Sequence, residues 1–199
     1  MVNLVGAAGL GLGIGAFAGM PLGVINIAIV DAVAAQQRSY ALGLGLGGAV
    51  ADSVQGALAM LGIGRVVLAH PEWIRVLAIA AAVVFLGYAI IAWRRHHVVR
   101  EVAGGSRGRG IVAGVMLTLP NPAALGAWVA VAALFWPDAV TGEAIAFAIG
   151  VLVGSAVWFT VLNWLLAKLR PDHVVLRYVP RLALVAFVVI AIVGVARTL

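Results

Sequence analysis

Residues 20–31 read MPLGVINIAIVD and interrupt a long apolar and glycine-rich run with a proline, an asparagine and an aspartate. Pro21 removes a backbone donor and its ring clashes with the preceding turn, so the stretch predicts a helix that breaks there. Asn26 follows and offers both donors and an acceptor to the groups that the break releases. Two interpretations stay open: a kinked helix whose asparagine binds neighbouring helices, and a break that lines a binding path.

The composition indicates that this break lies in a membrane. Of the 199 residues, 64% are hydrophobic and 10% are charged, and the mean hydropathy of +1.15 exceeds what a soluble domain needs for one core. The 25 glycines fit transmembrane helices, in which small residues let backbones approach closely. The net charge of +6 falls in short clusters between apolar runs, which favours contact with anionic lipid over nucleic acid. Without cysteine there is no disulfide and no thiolate metal site.

Six segments are long and apolar enough to cross a bilayer, which takes about 20 residues. They are Leu4–Val30, Ala41–Gly64, Trp73–Trp93, Gly110–Trp136, Ala144–Ala167 and Tyr178–Leu199. The sequence therefore predicts an all-α integral membrane protein of six transmembrane helices, with the first and fourth broken by proline.

The basic residues orient these spans, because cytoplasmic loops carry an excess of Lys and Arg. Ten of the thirteen fall on one side of the predicted bundle: Arg38, Arg94, Arg95, Arg100, Arg107, Arg109, Lys168, Arg170, Arg177 and Arg181. We therefore predict that both termini lie outside and that the basic loop 98–109 lies in the cytoplasm.

The two halves of the chain look alike. Each half has a proline-broken helix, a helix of small residues with a polar group at its middle, and a plain apolar helix. Pro21 corresponds to Pro120, and Asp52 corresponds to Ser155. Three spans per half invert the second copy, and inverted repeats with broken helices are a recurrent transporter plan. The predicted single membrane domain consists of repeat 1–97, loop 98–109 and repeat 110–199.

Small residues mark the helix faces that are expected to pack tightly. Glycine recurs every four residues along the first span, and a further glycine precedes the polar middle of the second. The predicted packing positions are Gly11, Gly15, Gly19 and Gly48, while Gly23 belongs to the helix break beside Pro21.

A second break is predicted where Pro120 and Pro122 flank Asn121. An unwound turn there would expose carbonyls to a cationic or zwitterionic amine, and the half-helix that follows would point its positive end at a carboxylate. The alternative is a break that serves only the architecture.

Asp52 is the one acid at the middle of a predicted span. A charge at that depth costs about 2.5–3.5 kcal/mol on insertion scales, so a purely decorative acid is disfavoured. Small and polar residues share its helix face, which predicts that the face looks into the bundle: Gly45, Gly48, Gln55 and Ala59. Asp52 is the candidate proton carrier, and a structural acid bonded to Asn121 or to an unwound carbonyl is the alternative.

The remaining polar residues are assigned to substrate binding, to the end of the first span or to a loop. The predicted substrate ligands are Asn26, Asn121, Gln55 and Ser155. Asp31 is interpreted as a solvated charge at the end of the first span, with a pair to Arg38 as the alternative. His96 and His97 are adjacent rather than spaced for a shared metal, so neither a metal nor another cofactor is predicted.

The motifs resemble the LysE/RhtB family of small amino-acid exporters over nearly the whole chain. They are PLGVINIAIV (21–30), GGAVADSVQGALAMLGIG (47–64), FLGYAIIAWRR (85–95) and LPNPAALGAWVAV (119–131). The family's Pro-Gly-Asn element corresponds to Pro21, Gly23 and Asn26. Its Gly-x-x-x-Asp element corresponds to Gly48 and Asp52, and its Asn-Pro to Asn121 and Pro122.

The resemblance implies export of an amino acid or similar small metabolite through a bacterial cytoplasmic membrane, driven by protons, and it is compatible with a homodimer. The P-x-G-x-x-N spacing is similar to the branch that exports lysine and arginine, although Val24 and Ile25 stand where that branch has Pro and Gln.

Alternatives from other classes remain. A divalent metal-cation exporter of the same superfamily is disfavoured, because one mid-span carboxylate is a thin ligand set. An enzyme is disfavoured, because the hydroxyls of Ser53, Ser155 and Thr118 have no intramembrane His or Lys beside them. A non-transporting membrane assembly factor would not need two proline breaks.

Overall fold

The computed structural model describes residues 4–20, 23–97, 105–135 and 140–169, together with residues 173, 178, 185, 188, 189 and 192. These ranges contain eight helices and no strand: α1 Leu4–Ala18, α2 Val24–Ala34, α3 Arg38–Met60, α4 Ile63–Leu68, α5 Pro71–His97, α6 Arg107–Thr118, α7 Pro122–Phe135 and α8 Thr141–Ala167. The chain is therefore all-helical over its described part, as the sequence predicts.

Two of the predicted spans are each divided into two short helices. The first span ends as a helix at Ala18 and resumes at Val24, after Gly23 in extended backbone. Pro21 lies outside the described residues. The fourth span ends at Thr118 and resumes at Pro122, with a bend of 74° between α6 and α7.

The other spans lie close to their predicted positions. The third lies within α5, and the fifth coincides with α8 apart from its first turn. The second ends earlier than predicted, because Gly62 adopts a left-handed φ of +76° and separates α3 from α4. Tyr178–Leu199 lies almost wholly outside the described residues.

Length and composition qualify few described helices as complete membrane spans. Thr141–Ala167 qualifies alone, and the bent pair of α6 and α7 qualifies only when its halves are taken together. Both α1 and α2 are apolar but short, and α3 is made less apolar by its glycines, Asp52 and Gln55. The count of six spans and the inverted repeat stay predictions.

The outer surface is strongly apolar. Large hydrophobic side chains are exposed along several helices, among them Val5, Phe17, Val83, Leu134 and Val157. A soluble monomer rarely exposes apolar patches on this scale, whereas lipid covers such a surface without cost.

Helix α3 lies at the centre, in contact with α2, α6, α7 and α8. Two crossings bring backbones together. A Cβ on Gly15 of α1 would lie 2.6 Å from the carbonyl oxygen of Val151 in α8. A Cβ on Gly114 of α6 would overlap the carbonyl oxygen of Leu44 in α3. The first helix of each predicted repeat, α1 or α6, thus packs on the long second helix of the other repeat, α8 or α3. The two crossings are equivalent if the two halves of the chain are interchanged.

The other predicted packing glycines also lie against neighbours. A Cβ on Gly11 would overlap the carbonyl oxygen of Phe147, and one on Gly19 would meet the ring of Trp158 at 2.5 Å. Gly48 faces Ile25, whose Cγ1 would lie 3.0 Å from an added Cβ.

Candidate functional site

The Asp52 carboxyl lies inside the protein rather than against lipid. It is half-buried on α3, and its Oδ2 accepts a hydrogen bond of 3.1 Å from the Ser155 hydroxyl of α8. The side chain of Trp128, on α7, also hydrogen-bonds to this carboxyl. Ser155 is 0% exposed and Trp128 is 5% exposed. The acid is therefore held by two helices of the second half of the chain.

The same serine reaches the end of α1. Its Oγ lies 3.1 Å from the carbonyl oxygen of Gly15. This contact depends on the close crossing of α1 and α8, because a Cβ on Gly154 would overlap the carbonyl oxygen of Leu12. The small residues of the crossing thus bring the acid and the last turn of α1 within one side chain of each other.

Asn26 ties the two halves of the first break together. Its Nδ2 donates a hydrogen bond of 2.8 Å to the carbonyl oxygen of Gly19, seven residues earlier. The side chain is 4% exposed. Because Gly19 follows α1 and Asn26 lies in α2, the amide satisfies a carbonyl that the end of α1 leaves without a helical donor.

Gln55 serves the second break from a distant helix. Its Nε2 lies 3.1 Å from the carbonyl oxygen of Leu119, 3.3 Å from that of Thr118 and 3.5 Å from that of Asn121. The side chain is 1% exposed and lies about one turn along α3 from Asp52. One amide group with two hydrogens thus serves three carbonyls between the end of α6 and the start of α7.

Asn121 begins the helix that follows the break. Its Oδ1 accepts a hydrogen bond of 3.1 Å from the backbone N–H of Ala123. This is the pattern of an asparagine N-cap followed by proline at the first helical position, here Pro122. No described residue accepts a hydrogen bond from its Nδ2, and the side chain is half-buried.

These features are accompanied by a match over most of the chain. The family profile described as LysE type translocator matches residues 16–198. The chain belongs to the LysE-type translocator family. This places it among membrane exporters of amino acids and similar compounds, and the resemblance found in the sequence is confirmed. No curated protein and no solved structure matches the chain significantly.

The translocator brings several predicted site residues together. Asp52 and Ser155, which the predicted repeat places at corresponding positions, form a direct hydrogen bond. Gln55 lies on the same helix as Asp52, but its amide donates to the backbone of the second break. Asn26 lies at the other break, where its amide is likewise engaged. The amides of Gln55 and Asn26 therefore stabilise the backbone at the two breaks and do not face an empty space.

One residue of the site was missed by the sequence analysis, and the exposure of a second acid was predicted wrongly. Trp128 was not singled out, although an indole N–H at membrane depth needs a partner and so marks a polar neighbour. Its ring also meets the Phe147 ring edge-on, with centroids 6.1 Å apart. Asp31 was interpreted as solvated, and this was wrong, because it is 7% exposed within α2. The packing of α2 under its neighbours, rather than its position in the chain, decides that burial.

The described residues contain no group of three or more His, Cys, Asp or Glu side chains that could hold a metal ion.

Proposed function

We propose that this translocator exports an amino acid by exchange with protons, with lysine and arginine as the first candidates. The observation that carries the proposal is the position of the Asp52 carboxyl. It lies at the middle of the central helix and hydrogen-bonds to α7 and α8. Through Ser155 it is one side chain from the last turn of α1.

A carboxyl in this position can bind a proton or the ammonium group of an amino acid, and binding of one excludes the other. As a carboxylate it attracts the ammonium group of an amino acid, and as a neutral acid it does not. A single group that binds either a proton or an ammonium, but not both, couples their opposite movements. Its half-buried state is suited to the role, because a proton carrier must be reachable from water in at least one conformation.

The other end of an amino acid needs a positive site. The N-terminus of α7 supplies partial positive charge, and the Nδ2 of Asn121 supplies a hydrogen-bond donor beside it. The same α7 carries Trp128, which hydrogen-bonds to Asp52. One short helix therefore connects the proposed carboxylate-binding end with the proposed ammonium-binding acid.

The test is transport by the full chain reconstituted in lipid vesicles. The cargoes are labelled lysine, labelled arginine, a panel of other labelled amino acids and a divalent cation. Each is measured with and without an imposed proton gradient. We expect one amino acid to move faster with the gradient, and the variant Asp52→Asn to move it at the gradient-free rate.

The matched control is Glu72→Gln, which also neutralises one acid but at an exposed position at the start of α5. It should leave the gradient effect intact. Undiminished gradient-driven transport by Asp52→Asn would overturn the role of the acid. Movement of the divalent cation alone would favour the metal-exporting alternative.

The orientation predicted from the basic loops, with both termini outside a cytoplasmic membrane, has a separate test. The chain has no cysteine, so single cysteines added at either end can be labelled with a membrane-impermeant maleimide in intact cells. Labelling of both ends is expected, and protection of both would reverse the orientation.

A further inference from the structure

We infer that Ser155 conveys the protonation state of Asp52 to the last turn of α1, so that the serine is a coupling residue rather than a substrate ligand. The inference rests on the proposed function in one respect, which is that Asp52 gains and loses a proton.

The Ser155 hydroxyl has two possible hydrogen-bond acceptors but only one hydrogen. Its Oγ lies 3.1 Å from Asp52 Oδ2 and 3.1 Å from the carbonyl oxygen of Gly15. A hydroxyl has one hydrogen to donate. Ser155 is 0% exposed, so bulk water does not replace a missing partner. Both neighbouring oxygens can therefore be satisfied by this group only if one of them is itself a donor.

When Asp52 is charged, it is an acceptor only, and the serine hydrogen points to it because hydrogen bonds to ionised groups are about twice as strong as neutral ones. The Oγ lone pairs then face the carbonyl oxygen of Gly15 without a hydrogen between them. The contact between α8 and the end of α1 is weakened in this state.

When Asp52 is neutral, its own O–H donates to Ser155 Oγ, and the serine hydrogen is released to the carbonyl oxygen of Gly15. Every oxygen then has a hydrogen. The proton stays on Asp52 throughout, and the serine hydroxyl only rotates. The contact between α8 and the end of α1 is strengthened in this state.

The end of α1 leads directly to the first break. The carbonyl oxygen of Gly15 also accepts from the N–H of Gly19 at 3.2 Å, and the carbonyl oxygen of Gly19 accepts from Asn26. The N–H and the carbonyl of Gly19 belong to successive peptide groups, so the backbone of this one residue links the two hydrogen bonds. A route of hydrogen bonds and one residue of backbone thus joins the acid on α3 to the start of α2.

Few other titratable groups lie on the helices around Asp52, and on α3 itself they are the exposed Arg38 and the buried Tyr40. Helices α1 and α7 carry no titratable side chain over their described lengths. Helix α8 carries Glu143 in its first turn, about 18 Å from Ser155 along the axis. The remaining groups on the helices around α3 are the buried Asp31 of α2 and the exposed Arg65, Arg107 and Arg109 of α4 and α6.

The test follows the end of α1 without any substrate. A single cysteine replaces half-buried Ala16, which lies in the last turn of α1 at the crossing with α8, and its labelling rate with N-ethylmaleimide is measured across pH in the purified full chain. A cysteine replacing exposed Val140 corrects for the ordinary effect of pH on thiols. We expect corrected labelling to be slower at low pH, by about fivefold for one hydrogen bond gained.

The variants separate the relay from general packing. Ser155→Ala should remove the pH dependence at the end of α1. Asp52→Asn should label slowly at every pH, because the new amide donates to Ser155 as the neutral acid does. The matched control is Ser53→Ala, which also removes a hydroxyl that bonds α3 to α8, at 2.8 Å from the carbonyl oxygen of Ala148. It should keep the wild-type pH dependence.

A second measurement uses infrared spectroscopy on the full chain. The carbonyl band of the protonated acid, identified by its loss in Asp52→Asn, should shift in Ser155→Ala. If that variant does not fold, Ser155→Cys replaces it, because a thiol is a weak donor and should also shift the band. A pH dependence that survives in Ser155→Ala, or an unshifted band, would overturn the inference. Neither readout requires transport, so failure of proton-driven export would be seen separately.

Discussion

Replacing Gln55 with leucine tests whether the second break is held from α3. The variant Gln55→Leu keeps the approximate size of the side chain and removes the donor that serves three carbonyls. Two of these carbonyls keep backbone donors, since Asn121 donates to Thr118 and Leu125 donates to Asn121. Leu119 has no other described donor for its carbonyl oxygen. The cost is therefore mainly that of one unsatisfied buried carbonyl.

The magnitude follows from two scales. An unsatisfied buried group costs about 1–3 kcal/mol, whereas side-chain hydrogen bonds between membrane helices average about 0.6 and reach about 1.7 kcal/mol. The loss of the Gln55 Oε1, which is buried without a partner among the described residues, offsets part of the cost. We expect Gln55→Leu to lower the free energy of unfolding by about 1–2 kcal/mol, or the melting temperature by about 2–8 °C.

The measurement is thermal unfolding of the purified chain in detergent, followed by the fluorescence of its six tryptophans. Gln55→Glu should unfold at a lower temperature than Gln55→Leu, because a carboxylate there would face three carbonyl oxygens. Thr160→Val is the matched control, since its hydroxyl bonds its own helix at Ala156 and is exposed. A shift for Gln55→Leu no larger than that of the control would refute the bracing role.

Three further predictions concern packing, capping and the acid's tryptophan partner. Gly154→Ala should lower the free energy of unfolding by about 1–3 kcal/mol, because the added methyl group forces α1 away from α8. The control Gly126→Ala, which has open space around it, should raise the free energy of unfolding by about 0.5–1 kcal/mol. Equal melting temperatures for the two variants would contradict the close crossing. Asn121→Ser should retain the helix cap but raise the KM for the exported amino acid, measured in vesicles. Asn121→Ala should raise the KM and also lower the free energy of unfolding by about 1 kcal/mol. An unchanged KM in both variants would show that this residue does not bind the substrate. Trp128→Phe should keep the ring contact with Phe147 and lose the hydrogen bond to Asp52. Gradient-driven efflux should therefore fall, while the melting temperature drops by no more than about 4 °C. Unaltered efflux would show that the tryptophan only contributes to packing.

The positions of the breaks could be predicted from the sequence because their cause is local. A proline lacks a donor and clashes with the preceding turn whatever lies around it. Pro122 accordingly begins α7, and the bend between α6 and α7 falls where the sequence places it. The family motifs are also local strings of residues, and the family match agrees with them.

The state of the carbonyls at the breaks could not be predicted in this way. They were expected to be open to a substrate amine, but Asn26 and Gln55 donate to them. Gln55 reaches a carbonyl 64 residues away in sequence, through the packing of α3 on α6 and α7. No helical period in either segment contains that pairing.

The sequence by itself determined that this chain is helical, suited to lipid and broken at two proline-containing segments, since hydropathy and proline sterics act within a few residues. It also placed one acid at the middle of the second span. Only the tertiary structure decided that Asp52 meets Ser155 and Trp128, and that Ser155 also meets Gly15. These contacts exist because glycine crossings bring particular backbones together, and the partner of a crossing is fixed by the whole bundle rather than by either helix.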